Sequence, residues 1–362
     1  MLRALRNLAV NLMAVFIWDR NARHKFRNKY KRKSKFRKLR DDNKRLFLEN
    51  QSILNKLAHL EKIINETRSI DYGWPPVIKQ LEDITVTSRD RTIPVYLSIA
   101  CISKNEGPYL KEWIEYHKLV GVERFYFYDN ESDDNTREIL DPYIIDGTVV
   151  YHYVPGRQRQ FAVYNDAVLR YADETFWLAI IDLDEFIVPK EKDSVADFLK
   201  DYEKYHGVGI NWVLFDSNGH QVKPTAHGGL VTANYMRVNE GYDPRNKIPR
   251  SDRIIKSIIQ PPYVSKFINP HFAIFKGGLR TVNENFEPIF GSMSSYCSKN
   301  KIQLNHYHFK SKDEYIKKCK RGAADTNKYV YDEKDINFIR TLNDYAIQKY
   351  MPKLKAALGI VD

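Results

Sequence analysis

Residues 176–186 read FWLAIIDLDEF, and this stretch decides the predicted fold. Its first six residues are apolar and suit a strand that is covered on both faces. The carboxylates of Asp182, Asp184 and Glu185 follow directly, where such a strand ends. In α/β sheets the ligand lies beyond the carboxyl ends of the strands. The stretch therefore predicts a buried strand that carries an acidic site at its end.

The chain on either side of this stretch alternates between strand-like and helix-like patterns. Besides 176–181, strands are expected at 94–103, 124–128, 147–154, 207–215 and 232–238, and helices at 107–120, 136–140 and 157–171. Such an alternation predicts an α/β fold with a doubly wound sheet, and helical periodicity after residue 313 predicts a helical tail. Polar clusters follow three strands: Lys104, Asn105 and Glu106, then Asp129 and Asn130, then Asp182 to Glu185.

The net charge of +12 on the 362 residues is concentrated at the start of the chain. Residues 1–45 have a net charge of +13, and the other 317 residues have a net charge of −1. A neutral body argues against nucleic acid as a partner. The three cysteines include no Cys-x-x-Cys pair, which argues against a cysteine zinc site and a disulfide framework. No apolar run reaches the 18 residues of a transmembrane helix.

The first 45 residues combine an apolar stretch at 8–18 with a basic stretch at 20–45 that contains Phe26, Tyr30 and Phe36. This pattern predicts an amphipathic arm that lies on an anionic membrane surface. The expected location is therefore cytoplasmic, on the inner face of the cytoplasmic membrane. A solvated basic tail and an RNA-binding arm are the alternatives.

Residues 46–66 predict a coiled-coil helix. Five apolar residues and Asn50 occupy the seam positions, which predicts a homo-oligomer, preferably a dimer, through residues 46–64. A helix packed on its own protein body is the alternative. The seam consists of Leu46, Asn50, Ile53, Leu57, Leu60 and Ile64. The predicted organisation continues with a linker at 67–92, a catalytic domain at 93–312 and a C-terminal helical segment at 313–362.

Two acids separated by one residue at a strand end predict a metal site. Asp182 and Asp184 repel each other unless a cation lies between them, and their hard oxygen ligands suit Mn²⁺ or Mg²⁺ bound to a diphosphate. His306 and His308 follow an apolar stretch two residues apart, and a neutral imidazole of His306 could complete the metal shell. The alternative is a solvated acidic loop.

Further motifs line up between about residues 97 and 322. They are KNE at 104–106, YLKEWI at 109–114, YH at 116–117, YDN at 128–130, Gln160 with ND at 165–166, IDLDEF at 181–186, Trp212, Phe215, NGH at 218–220, NHY at 305–307 and KS at 310–311. Together they resemble glycosyltransferase family 92, which is related to family 2, and most closely the bacterial transferases that build surface polysaccharides. The resemblance implies a GT-A-like mixed sheet and a nucleotide-sugar donor, with transfer of galactose from UDP-galactose as a precedent.

The resemblance also implies a glycan or glycolipid acceptor, inversion at the anomeric carbon and roles for particular residues. The residues expected to hold the nucleotide are Lys104, Asn105, Glu106, Asp129, Asn130, Gln160, Asn165, Asp182 and Lys310. The expected metal ligands are Asp182, Asp184 and His306. Candidates for the base that deprotonates the acceptor are Asp216, Asp252 and Glu284, and candidates for cations at the leaving group are Lys310, Lys317 and Arg321. The resemblance implies a glycine at position 216, where this chain has Asp216. The acceptor side of the site is therefore expected to depart from the family pattern.

Two other functions remain open at the sequence level. One is a non-catalytic scaffold or carbohydrate-binding protein with a transferase-like body, and intact Asp182, Asp184 and His306 argue against it. The other is a metal-dependent phosphodiesterase, which usually needs more clustered ligands than one Asp-x-Asp pair. The residues alone also leave a retaining mechanism open.

Overall fold

The structure, a computed structural model, describes residues 93–239, 242–243, 248–249, 251–321 and 341–360. All of them belong to one compact unit, Pro75–Asp362. The predicted arm at 1–45, coiled coil at 46–66 and linker at 67–92 lie outside the described residues. Within the described ranges, no helix is both long enough and apolar enough to cross a bilayer.

The described residues form a mixed α/β domain. Its strands are β1 (Val95–Ser103), β2 (Arg124–Asp129), β3 (Val149–Tyr153), β4 (Thr175–Ile180), β5 (Glu185–Pro189), β6 (Gly207–Leu214), β7 (Arg237–Asn239), β8 (Tyr242–Asp243), β9 (Ile248–Pro249), β10 (Ile255–Ile259), β11 (Val264–Phe267), β12 (Ala273–Phe275), β13 (Ile302–His306) and β14 (Thr341–Asn343). Its α-helices are α1 (Gly107–Leu119), α2 (Thr136–Ile145), α3 (Gln160–Arg170), α4 (Val195–Lys200), α5 (Val231–Asn234), α6 (Lys312–Arg321) and α7 (Met351–Leu358).

Eight strands form one sheet in the order β3-β2-β1-β4-β10-β6-β13-β5. The first four strands are parallel, as the alternating sequence pattern predicts. β10 runs antiparallel to both β4 and β6, β13 is parallel to β6, and β5 is antiparallel to β13. The expected mixed sheet of an α/β fold is thus confirmed. The strands β1, β2, β4, β6 and β13 all end at one edge.

Both faces of the parallel half are covered, which explains its continuous apolar strands. Alternate residues of β1 lie on opposite faces, and Leu97 and Ile99 join a core cluster with Leu110 and Trp113 of α1. Ala100 of β1 is buried outside that cluster, and α3 packs on the same strand. Burying apolar side chains on both faces stabilises the sheet that carries the site.

Three side chains of α1 fix β5. Trp113 Nε1 donates to the carbonyl of Glu185 at 2.8 Å, and Tyr116 Oη donates to the carbonyl of Ile187 at 2.9 Å. Burial lowers the pKa of His117 to about 3, so the ring is neutral. Its Nε2 accepts from the Ile187 amide, and its Nδ1 therefore donates to the carbonyl of Trp113. These bonds hold the segment that follows Asp184 in place.

Two stretches differ from the sequence predictions. The strand expected at 232–238 starts instead as α5, because the buried Glu112 carboxylate accepts bonds from the amides of Val231 and Thr232. A carboxylate at these free amides favours a helix start. The tail at 313–362 contains α6 and α7 as predicted, but the strand β14 lies between them and pairs with β7.

Candidate active site at the carboxyl edge of the sheet

The three polar clusters predicted from the sequence meet at one edge of the sheet. They follow β1, β2 and β4, whose parallel pairing brings their carboxyl ends together. His306 ends β13 opposite Leu214 of the parallel strand β6, so it reaches the same edge. The amide of Tyr307 donates to the carbonyl of Asp184 at 2.8 Å, which ties β13 to the acidic segment.

Asp184, His306 and His308 form a group that can hold a metal ion. One ligand atom from each lies within 4.8 Å of the others. His306 Nε2 is 3.5 Å from Asp184 Oδ1, and His306 Nδ1 is buried and has no hydrogen-bond partner within the described ranges. A carboxylate with two imidazoles suits Mn²⁺ better than Mg²⁺, which prefers oxygen ligands. The donor set therefore fits the predicted metal, with His308 in addition to the predicted Asp184 and His306.

Lys318 of α6 adds a cation to this group. Its Nζ lies 2.5 Å from Asp184 Oδ2 and 3.1 Å from His308 Nδ1. Burial alone raises the pKa of Asp184, but the Lys318 ammonium, together with a hydrogen bond from His306, outweighs it and holds this pKa well below its usual range. Burial lowers the pKa of His306 despite the nearby Asp184, which favours the neutral ring that a metal requires.

Asp182, the other half of the acidic pair, faces a different cation. Its Oδ2 accepts from Lys256 Nζ of β10 at 2.8 Å, and its Oδ1 accepts from Tyr164 Oη at 3.1 Å and Gln160 Nε2 at 3.3 Å. Lys256 is buried and also lies 3.6 Å from Glu185. The repulsion between the acids is therefore relieved by lysines. The metal-capable group of the described residues includes His308 and leaves Asp182 out, contrary to the sequence expectation.

The loop after β1 is held by basic residues from the C-terminal part of the domain. Lys310 Nζ and Arg321 Nη2 each lie 2.9 Å from the carboxylate of Glu106, and Arg321 also donates to the carbonyl of Lys104. Burial alone raises the pKa of Glu106, but these two cations outweigh it and lower the pKa. Asn105 adopts a left-handed conformation with φ of 56°, the kind of backbone strain that often marks functional sites.

Asp129 and Asn130 shape the edge of the sheet next to this loop. Asp129 Oδ1 accepts from the amide of Ser132 at 2.9 Å, and its Oδ2 accepts from Tyr151 Oη at 2.7 Å. Asn130 Nδ2 donates to the carbonyl of Val154 at 2.7 Å, which holds the chain that leaves β3. Both predicted residues are thus at the edge, and their side chains also support its loops.

Two residues predicted for the site have other surroundings. Asn165 exchanges two hydrogen bonds with the backbone of Phe267, at 2.8 and 3.0 Å, so its amide joins α3 to β11. This use leaves no amide group directed at a nucleotide. Lys317, a candidate cation at the leaving group, is exposed on α6, and its neighbour Lys318 lies beside Asp184 instead.

The structure separates the three candidate bases. Asp216 is fully buried, and Arg237 Nε donates to both of its oxygens, at 2.9 and 2.7 Å. Glu284 accepts four bonds, from Ser298 and from the amides of residues 300–302, at the start of β13 and thus at the opposite end of that strand from His306. Each oxygen of Glu284 thus accepts two bonds, and Asp216 is closed off from solvent and paired with Arg237. These surroundings argue against both residues as the base.

Asp252 is the candidate that suits a base. It precedes β10 and lies beside the end of β6, because the amide of Trp212 donates to the carbonyl of Ile254 at 2.9 Å. This places Asp252 at the same edge as Asp184. Its Oδ1 is buried and has no hydrogen-bond partner among the described residues. Among the described residues it also contacts Cys297, where burial and the carboxylate raise the pKa of the thiol to about 12.

Sequence reasoning missed two lysines of the site. Lys256 stands alone among isoleucines in IIKSII at 254–259, and a lone charge in an apolar strand signals a buried partner. Lys318 lies in a helix with many lysines, and nothing in the sequence separates it from Lys317 or Lys320. Only the packing of α6 on the sheet edge does so.

The model of Glycosyltransferase family 92 matches residues 95–342, which is more than two thirds of the chain. The match includes the acidic segment after β4, both His306 and His308, and all of α6. The fold and site thus define a transferase-type α/β domain. The chain belongs to glycosyltransferase family 92.

Relatives with this domain are found in plants. A glycosyltransferase family 92 protein of Ricinus communis is 28% identical over 243 residues, which are 66% of this chain and 39% of that protein. A galactan β-1,4-galactosyltransferase of Arabidopsis thaliana is 25% identical over 210 residues, 55% of this chain and 38% of that protein. The chain thus spans about two fifths of the length of these relatives. Neither relative supports the expected bacterial type.

Two solved structures align with about a third of this chain. S. aureus TarS in complex with UDP aligns with 36% of this chain and 39% of its own, at 16% identity and a TM-score of 0.26. The glucosyl-3-phosphoglycerate synthase of Mycobacterium tuberculosis, in a complex with Mn²⁺ and UDP, aligns with 35% of this chain and 50% of its own, at 15% identity and a TM-score of 0.24.

Proposed function

We propose that the protein transfers a hexose, with galactose as the first choice, from a UDP-sugar to a glycan or glycolipid acceptor with inversion. The observation that carries the proposal is the group of Asp184, His306 and His308 at the carboxyl edge, with Lys310, Lys318 and Arg321 beside it. Family membership supports sugar transfer. The galactan β-1,4-galactosyltransferases among the relatives support galactose.

Different residues at this edge bind different parts of the donor. The loop at Lys104–Glu106 and Asp129 take the nucleoside, as the resemblance implies, and the cations of the C-terminal part face the diphosphate. Asp184, His306 and His308 would hold a divalent cation, which neutralises the charge that develops on the leaving diphosphate. Lys310 supplies a fixed positive charge to the same leaving group because its ammonium is already directed into the site beside Glu106.

Asp252 is the proposed base. Its free Oδ1 takes the proton from the acceptor hydroxyl as the oxygen attacks the anomeric carbon, and the bond to the diphosphate breaks on the opposite face. One carbon–oxygen bond forms and one breaks, and the proton ends on Asp252. We expect Asp252→Asn to lower kcat about 10²- to 10⁴-fold with little change in UDP affinity. A wild-type kcat for this variant overturns the assignment.

A thermal-shift screen tests the donor class. The full chain is melted with UDP-, GDP- and CMP-sugars, each with and without MnCl₂, because a ligand that binds the native state raises the melting temperature. We expect UDP-galactose with Mn²⁺ to give the largest increase. Stabilisation by GDP- or CMP-sugars instead, or by none of the sugars, contradicts the proposed donor.

The setting of the reaction is proposed from the sequence alone. The arm at 1–45 keeps the enzyme on the inner face of the cytoplasmic membrane, and deletion of 1–45 is expected to abolish binding to anionic vesicles while activity on a soluble acceptor remains. Unchanged vesicle binding contradicts this role. Synthesis of a bacterial surface polysaccharide stays a prediction.

Residues 46–64 are proposed to form the oligomer. Light scattering of the full chain is expected to give a dimer, and a chain that begins at Gly73 is expected to be monomeric. A monomeric full chain contradicts the coiled coil, and so does a dimer that persists after truncation.

A further inference from the structure

Three described basic residues at the C-terminal side of the site are paired with its acids. Lys318 lies 2.5 Å from Asp184, and Lys310 and Arg321 each lie 2.9 Å from Glu106. Each acid belongs to a segment that the proposed function assigns to the donor or its cation. The described ion pairs therefore neutralise the site without a ligand.

The position of Lys318 conflicts with cation binding. Its ammonium contacts Asp184 Oδ2 and His308 Nδ1, so it touches two of the three residues of the metal-capable group. A metal ion uses the same carboxylate and imidazole lone pairs as ligands, at about 2.0–2.2 Å. Two positive charges on these shared donors repel each other. The ammonium and a divalent cation thus compete for the group.

Lys256 and Lys318 both pair with the acidic segment, but their side chains differ in exposure to solvent. Lys256 is 1% exposed and bridges two acids, so its removal from Asp182 leaves a charge in the core. The Lys318 side chain is 23% exposed and extends from the surface helix α6. A change of partner requires rotation of this side chain and the loss of its contacts with Asp184 Oδ2, His308 Nδ1 and the His308 carbonyl.

We propose that Lys318 occupies the cation position of the site in the free protein and passes to the diphosphate of the donor when a divalent cation binds. The proposal rests on the proposed function and adds the coupling between its two ligands. A cation that binds alone has to displace the ammonium from a buried carboxylate. When UDP is present, the displaced ammonium gains a phosphate partner. The cation and the nucleotide therefore bind cooperatively, and Lys318 is the residue that couples them.

Manganese binding to the full chain tests the coupling directly. Free Mn²⁺ is measured by electron paramagnetic resonance during titration with MnCl₂, with and without saturating UDP. Lys318→Gln is compared with wild type and with Lys320→Gln, which removes the same charge from an exposed position of α6. We expect Lys318→Gln to bind Mn²⁺ alone at least tenfold more tightly than wild type, and Lys320→Gln to stay within twofold of it.

The effect of UDP gives the second readout. In wild type and Lys320→Gln we expect UDP to raise the Mn²⁺ affinity at least tenfold, and in Lys318→Gln less than threefold. Wild-type affinity and wild-type coupling in Lys318→Gln overturn the inference but leave the proposed function standing. A wild-type chain that binds neither MnCl₂ nor UDP overturns both.

A second variant covers the case in which Lys318→Gln fails to fold. Lys318→Arg keeps the charge with a bulkier head group, so we expect Mn²⁺ alone to bind no more tightly than to wild type and the effect of UDP to remain at least threefold. Tighter Mn²⁺ binding by Lys318→Arg, or loss of the UDP effect, contradicts the role of the ammonium.

Discussion

The two halves of the central sheet are built in different ways. The strands β3, β2, β1 and β4 are parallel, and each is joined to the next in the chain by a helix. The strands β10, β6, β13 and β5 have mixed directions and come from distant parts of the chain. The first half carries the predicted nucleoside loops, and the second carries Lys256 and the histidines.

The acidic segment is the connection between the two halves. β5 follows β4 after only residues 181–184, yet three strands lie between them in the sheet. Asp182 forms an ion pair with Lys256 of β10, and Asp184 contacts His306 of β13. The comparison teaches that local pattern builds the loops after the parallel strands, whereas long-range pairing brings Lys256 and His306 to the acidic segment.

The largest effect on stability is expected in the mixed half. Lys256→Met leaves Asp182 and Glu185 close together without their cation, and a broken buried ion pair typically costs about 3–5 kcal/mol. Urea unfolding of the full chain measures the loss. Lys200→Met serves as control, because this lysine side chain is 63% exposed, and a change within about 0.5 kcal/mol is expected. A loss below about 1 kcal/mol for Lys256→Met refutes the role of this lysine.

A smaller effect is expected in the parallel half, and it separates nucleoside from metal binding. Asp129→Asn removes the charge that accepts from Tyr151 and Ser132, so we expect UDP affinity to fall about tenfold, or about 1.4 kcal/mol. Mn²⁺ binding measured without UDP should not change. Calorimetric titration gives both constants, with the exposed Asp173→Asn as control. Equal losses of UDP and Mn²⁺ affinity contradict the proposed separation of the nucleoside site from the metal site.

The smallest effect concerns pH and α6. Burial raises the pKa of Glu314 to about 7, although a bond from the Ser311 amide lowers it. Between pH 4.5 and 7 the folded protein keeps a proton that the unfolded chain loses, so the free energy of unfolding falls as the pH rises. We expect Glu314→Gln to reduce this fall between pH 5 and pH 8 by about 1 kcal/mol, since the side chain is partly exposed. Identical pH profiles from urea unfolding contradict this expectation.

The sequence predicted the parallel half well because each of its strands is a continuous apolar run next to a helix. The boundaries of β1 and α1 agree with the patterns to within a residue, and Asp184, Asp129 and Glu106 reach the edge that their strands indicate. Here the information is local. A strand and the polar residues after it are neighbours in the chain and in space.

The mixed half was harder to predict because its contacts join distant residues. α5 forms through Glu112, more than a hundred residues earlier in the chain, although β-branched residues favour a strand there. Lys318 and Lys317 look alike in sequence, and only tertiary packing selects one of them. The hydrogen bonds that Asp216 and Glu284 accept could not be predicted from the sequence either. Residue type alone cannot distinguish a free carboxylate from a saturated one.

The most direct test of the central claim is the release of UDP from UDP-galactose by the full chain. Wild type, Asp184→Asn and the exposed Asp173→Asn are compared with MnCl₂ and with a chelator. We predict turnover by wild type and Asp173→Asn that depends on Mn²⁺, and a loss of at least about a hundredfold for a folded Asp184→Asn. Wild-type turnover by Asp184→Asn in the presence of Mn²⁺ would contradict the account.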